Sequence, residues 1–110
     1  MFTFIELQPF ARVREAMLDD LEFARMQDYL MAHPQAGDVI AGSGGCRKIR
    51  WALTGRGKRG GARVIYFLRV GADEIVLVTM CAKNVRDNVD ASVLKRLRQA
   101  YEESKDGKED

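Results

Sequence analysis

Ala62-Arg63-Val64-Ile65-Tyr66-Phe67-Leu68-Arg69-Val70, then Gly71-Ala72-Asp73, then Glu74-Ile75-Val76-Leu77-Val78-Thr79-Met80-Cys81-Ala82, is the stretch on which the fold turns. Both runs are rich in β-branched and aromatic side chains, and the short piece between them suits a hairpin connection. Upstream, Cys46 to Leu53 alternates: Arg47, Ile49 and Trp51 fall on one face, Lys48 and Arg50 on the other, with the period of two of a strand. The middle of the chain therefore predicts antiparallel sheet.

Working outward, the four glycines and one serine between Gly37 and Gly45 surround Val39 and Ile40, which predicts a turn, a brief extended piece and a second turn. At the start, Phe2 to Ile5 suggests a short strand, and Pro9 suits the first turn of a short helix. Asp19 or Asp20 is a plausible N-cap for a second helix. Its apolar stripe is expected at Leu21, Ala24, Leu30 and Met31, with Phe23, Met26 and Tyr29 on adjoining rows, and it should stop near His33 because Pro34 follows. Asp90 or Ser92 is placed to cap a last helix that buries Val93, Leu94, Leu97 and Tyr101. The expected class is α+β, with two N-terminal helices and one C-terminal helix on an antiparallel sheet.

The chain has 110 residues, 46% of them hydrophobic and 31% charged, which is enough for one core and too little for two. One domain over residues 1–110 is expected, with 104–110 as a flexible charged tail. No apolar run approaches the ~18 residues of a membrane span and no signal-peptide pattern opens the chain, so a cytoplasmic protein is expected. Cys46 and Cys81 lie far apart with no Cys or His near either, which argues against a zinc knuckle, a CxxC pair or a disulfide scaffold. A single histidine, His33, sits in a turn-like His-Pro pair, so a Ser-His-Asp triad is disfavoured.

A net charge of +2 conceals a division of the chain. Residues 1–38 carry a net −4, residues 39–72 a net +8 with no acid at all, and residues 73–110 a net −2. Basic charge concentrated in one third of a small domain is the footprint of a polyanion partner. Within it, Gly55-Arg56-Gly57-Lys58-Arg59-Gly60 has the letters of a dinucleotide fingerprint, but a β-prone run follows where a helix is required. A Walker loop fails too, because Arg59 follows Lys58 where a Ser or Thr should hold magnesium. What remains for the loop is phosphate contact or a solvated turn, and Lys48, Arg50, Arg63 and Arg69 on the flanking strands favour a functional basic surface. Tyr66, Phe67 and Trp51 are the aromatics placed to stack bases, with a core role expected for Trp51 and for at least one of the other two.

Taken in order, Gly37-Asp38-Val39-Ile40, Gly42 to Gly45 with Arg47-Lys48-Ile49-Arg50, Gly55 to Tyr66, and Lys83-Asn84 before a terminal helix resemble the RelE/HigB family of bacterial toxins, most closely its HigB-like branch. The resemblance spans nearly the whole chain. It implies a toxin of a type II toxin–antitoxin module, a ribosome-dependent endoribonuclease that needs no metal or other cofactor and cuts messenger RNA through attack of a ribose 2′-hydroxyl on the adjacent phosphate. It also implies a small HigA-like helix-turn-helix antitoxin as partner, with operator DNA reached only through it. By motif match, Arg63 and Arg50 are expected on the scissile phosphate and Lys48 or Lys83 in proton transfer, while Arg47, Arg56, Lys58, Arg59 and Tyr66 contact RNA or ribosome.

The chain departs from the family pattern before its last helix. Cys81 stands where a tyrosine is usual, and Val85 where a glutamate is. Three readings stay open: Tyr66 supplies the missing group, base preference differs, or the nuclease is weak. The competing implication is a toxin homologue without catalysis, acting as an antitoxin-bound corepressor or an RNA-binding module. A free metabolic enzyme has no support, since no carboxylate pair, metal cluster or cofactor loop emerges.

Overall fold

The computed structural model describes residues 1–52, 61–82 and 89–106. Among the described residues the elements run β1 (Thr3–Glu6), α1 (Gln8–Met17), α2 (Asp20–Ala32), β2 (Asp38–Val39), β3 (Arg47–Ala52), β4 (Gly61–Arg69), β5 (Glu74–Ala82) and α3 (Ala91–Asp106), with a 3-10 turn at Val70–Ala72. The strands form one five-stranded sheet in the order β1-β5-β4-β3-β2. The class is α+β, as the sequence predicts. The sheet is mixed, however: β2-β3, β3-β4 and β4-β5 are antiparallel, but β1 lies parallel to β5. A parallel neighbour needs a long crossover, and α1, α2 and the central strands together supply it.

Local chemistry explains most boundaries. Pro9 sits in the first turn of α1, and the Asp19 carboxylate accepts the Glu22 backbone N–H at 2.8 Å as a true N-cap of α2. Arg14 joins the two helices by donating to the Leu18 carbonyl and the Asp20 carboxylate, with its guanidinium 4.4 Å from the Phe23 ring centre. The β4–β5 connection ends on Asp73 in the left-handed region, φ 56°, which aspartate tolerates better than most residues.

The core lies on both faces of the sheet. On one, Phe10 and Leu18 with Phe23, Met26 and Leu30 of α2 meet Ala62, Val64 and Tyr66 of β4 and Ile75, Leu77 and Met80 of β5. On the other, Leu94 of α3 meets Cys46, Ile65, Phe67, Val76 and Val78. The buried row of α2 is therefore Phe23, Met26 and Leu30; Leu21 and Ala24, expected inside, are exposed. Both rows satisfy helical spacing, and the one with the larger apolar side chains turns inward because it removes more surface from water. In β5 the pairing skips Val78: Ile65 opposes Thr79, and Tyr66 opposes Leu77. This bulge reverses the alternation, so that Val76, Val78 and then Cys81 point to the α3 side.

Arg98 fastens α3 to the sheet. It donates to the carbonyls of Gly44 (3.0 Å) and Leu68 (3.1 Å), pairs with Glu102, and lies 4.6 Å from the Phe67 ring centre. Gly45 has φ 97° and a Cβ there would come within 2.9 Å of the Arg98 guanidinium, so this turn needs glycine. At the far end, the Tyr101 hydroxyl donates to Glu74 at 2.8 Å. Burial, then the Glu74 hydrogen bond and charge, push the phenol pKa up to about 12. Residues 104–106, expected in a free tail, are the last turn of α3, and 107–110 lie outside the described residues. Among the described residues, no helix is long and apolar enough to cross a membrane.

Candidate active site

Strand pairing sorts the basic residues of the middle third into two groups. Lys48 and Arg50 alternate to the α3 side of the sheet, where Lys48 opposes Ile65 and Arg50 opposes Arg63. Arg63 in turn opposes Cys81, so Arg50, Arg63 and Cys81 form one row across three strands. On the outer side Lys48 opposes Asp38 of β2. The side chains of Asp38, Lys48, Arg50 and Arg63 line a single pocket of about 180 Å³. Lys48, Arg50 and Asp38 are exposed, while Arg63 is half-buried. Among the described residues, no ion pair or side-chain hydrogen bond ties down Asp38, Lys48 or Arg50.

Arg50 facing Arg63 is costly for a sheet. Directly opposed Cβ atoms stand ~4.5–5.5 Å apart, and like charges so placed are destabilising. Both guanidiniums line the same opening, and a phosphate there would take charge-assisted bonds from each. Lys48 adds a point charge at the same opening. Among the described residues, the pocket is lined by three cationic side chains and one carboxylate.

Two residues expected at the RNA surface lie on the α1/α2 side of the sheet, opposite Lys48, Arg50 and Arg63. Tyr66 points to the α1/α2 side, is fully buried, and commits its hydroxyl twice: it donates to the Pro34 carbonyl at 2.8 Å and accepts the Gly37 N–H at 2.9 Å. Burial raises its pKa, partly offset by the Gly37 hydrogen bond and by the charge of Arg47. It is a latch inside the fold and presents no ring to RNA, nor does it stand in for the tyrosine missing at Cys81. Arg47 shares that side, half-buried, and donates to the carbonyls of Gly37 (2.8 Å) and Gln35 (3.2 Å). Its guanidinium holds the loop before β2. Trp51 is half-buried against the same core, with its ring 5.8 Å from that of Tyr29, in line with the core role expected of it. Lys83, Arg56, Lys58 and Arg59 lie outside the described residues.

Asp38 is the pocket residue that sequence reasoning missed. It stands last before the acid-free stretch 39–72, and only strand pairing carries it into the basic cluster. Its position depends on Tyr66. Tyr66→Phe removes the bond to Pro34 and leaves the buried Gly37 N–H unpartnered, so it should lower unfolding free energy by about 1–3 kcal/mol. A urea melt reads this directly, and an unchanged midpoint would show that the latch carries no stability. No family model matches the chain, so the family resemblance rests on the motifs quoted above.

Proposed function

We propose that the protein is a RelE/HigB-like toxin: a ribosome-dependent endoribonuclease that cuts messenger RNA without a metal and so stops translation. The observation that supports this reading best is the opposed pair Arg50 and Arg63 beside Lys48 in one cleft. In the reaction the 2′-oxygen attacks the neighbouring phosphorus, negative charge builds on the non-bridging oxygens, and the 5′-oxygen leaves. Arg50 and Arg63 take the scissile phosphate and stabilise that charge, which is the largest service such a site provides. Lys48 or Lys83 moves a proton, and Arg56, Lys58 and Arg59 follow the RNA backbone. A HigA-like helix-turn-helix antitoxin neutralises the toxin in the cytoplasm and links it to operator DNA.

Primer extension on a reporter message in a cell-free translation reaction tests the reading. Cleavage that appears with ribosomes and is absent with RNA alone is the expected result. No cleavage by folded protein would turn the assignment to a catalytically lapsed homologue, for which Cys81 at the family's tyrosine position already argues.

The basic loop is tested separately. Replacing Lys58 and Arg59 with glutamine should weaken RNA binding and reduce the slope of log affinity against log salt by about 1.4, the sum of two single-strand phosphate contacts. A slope equal to that of the wild type would remove the loop from the RNA interface.

A further inference from the structure

We propose that Asp38 is the general base of this pocket, accepting the proton of the ribose 2′-hydroxyl, with Lys48 as the acid that protonates the leaving 5′-oxygen. The inference rests on the nuclease reading and assigns its proton transfers to Asp38, a residue of the quoted Gly37-Asp38-Val39-Ile40 motif to which the resemblance gave no role.

The first reason is chemical. Arginine and lysine in their ordinary charged forms are donors without an acceptor lone pair, whereas an aspartate carboxylate only accepts. Of the described side chains around the pocket, Asp38 is the one of the type that takes a proton without first losing one. The second reason is electrostatic. A carboxylate in a cleft for phosphate repels the ligand, so a surface built only for binding gains nothing from it. Its presence marks a different task.

The third reason is mechanical. Asp38 lies on a two-residue edge strand, yet the residue before it is clamped from two directions: the Gly37 N–H donates to Tyr66 at 2.9 Å and the Gly37 carbonyl accepts from Arg47 at 2.8 Å. Gly37 itself is buried, and a Cβ on it would stand 2.9 Å from the Lys48 carbonyl oxygen and 3.0 Å from the Tyr66 ring. Close approach of the backbones, possible only for glycine, therefore sets Asp38 directly opposite Lys48. Holding a reacting group by locked neighbours is what proton transfer in a transition state requires. Tyr66 and Arg47 thus serve the site as positioning residues.

The step balances. The 2′-O–H bond breaks and its proton passes to a carboxylate oxygen of Asp38. The freed oxygen lone pair forms the bond to phosphorus, the phosphorus–5′-oxygen bond breaks, and the departing oxygen takes a proton from the Lys48 ammonium. The products are a 2′,3′-cyclic phosphate and a 5′-hydroxyl. Asp38 is left protonated opposite a neutral Lys48, and passage of that proton between the two restores both.

The test is single-turnover cleavage of ribosome-bound message, with the cut-site linkage either ordinary or carrying sulfur in place of the bridging 5′-oxygen, a leaving group that needs no acid. Asp38→Asn should slow both linkages by at least ~10²-fold, the usual scale of a lost general base. Lys48→Ala should be slow on the ordinary linkage and restored on the sulfur one. Asp38→Asn should also bind an uncleavable 2′-deoxy message at least as tightly as the wild type, because a repulsive charge is gone. Asp38→Glu, which keeps a carboxylate on a longer arm, should recover at least ~10-fold of the Asn loss. The assignment is overturned if Asp38→Asn stays within about threefold of wild type, if sulfur rescues it, or if weakened binding of the 2′-deoxy message accounts for its loss. Wild-type protein that cuts neither linkage brings down the nuclease reading, and this one with it.

Discussion

Arg63→Ala should slow message cleavage by roughly 10²–10³-fold while the protein remains folded, the scale on which one preorganised donor to a developing oxyanion is lost. Arg63 is the member of the opposed pair on the central strand β4, half-buried between Arg50 and Cys81. Pairing to strands on both sides holds its backbone in place. Arg63 is only half-buried, and unfolding free energy should change by less than about 1 kcal/mol on its removal. Arg63→Lys keeps the charge and loses the bidentate geometry, so it should recover only part of the rate. Primer extension gives the rate and urea unfolding the stability. Full activity in Arg63→Ala would sink the site assignment, whatever became of the rest of the reading.

Phe67→Ala should be the more severe change for the fold, at about 3–5 kcal/mol. Phe67 has no exposed surface, projects from β4 towards α3, and sits with its ring centre 6.1 Å from that of Tyr101 and 4.6 Å from the Arg98 guanidinium. Truncation empties the contact that seats α3 and frees the face that Arg98 covers. Against a total stability of about 5–15 kcal/mol for a small domain, the loss is a large fraction. Urea unfolding should show it, and amide exchange should quicken more in α3 than in α1, since α1 packs on the other side of the sheet. A loss below about 1.5 kcal/mol, or equal loosening of both helices, would mean that Arg98 and Leu94 hold α3 without the ring.

Neighbouring residues show where sequence reading ends. A cap at Asp19 or Asp20 was legible because capping is local, and the structure takes Asp19, whose carboxylate accepts an N–H three positions on. The division of β3 into Lys48 and Arg50 against Arg47, Ile49 and Trp51 was equally legible, because alternation is a property of one strand. Tyr66 and Phe67 were not separable as core and stacking candidates, and the structure buries both, on opposite faces. In β5 the skipped Val78 carries Cys81 to the side of Arg63, which no reading by twos foresees. Asp38 stayed hidden for a related reason: ten positions separate it from Lys48, and register alone makes them neighbours.

The sequence by itself determined what short-range forces decide: the α+β class, the strand and helix segments, a cap of α2 at Asp19 or Asp20, and the basic character of residues 39–72. Tertiary structure decided what depends on which segments meet. It laid β1 parallel to β5, chose the Phe23, Met26 and Leu30 row of α2 for the core, buried Tyr66, tied Arg47 to the loop before β2, and brought Asp38 into the pocket. Propensity, capping and alternation act over a few residues and are written in order along the chain. Strand register and helix rotation are set by the total area buried when distant segments pack, which no local stretch contains.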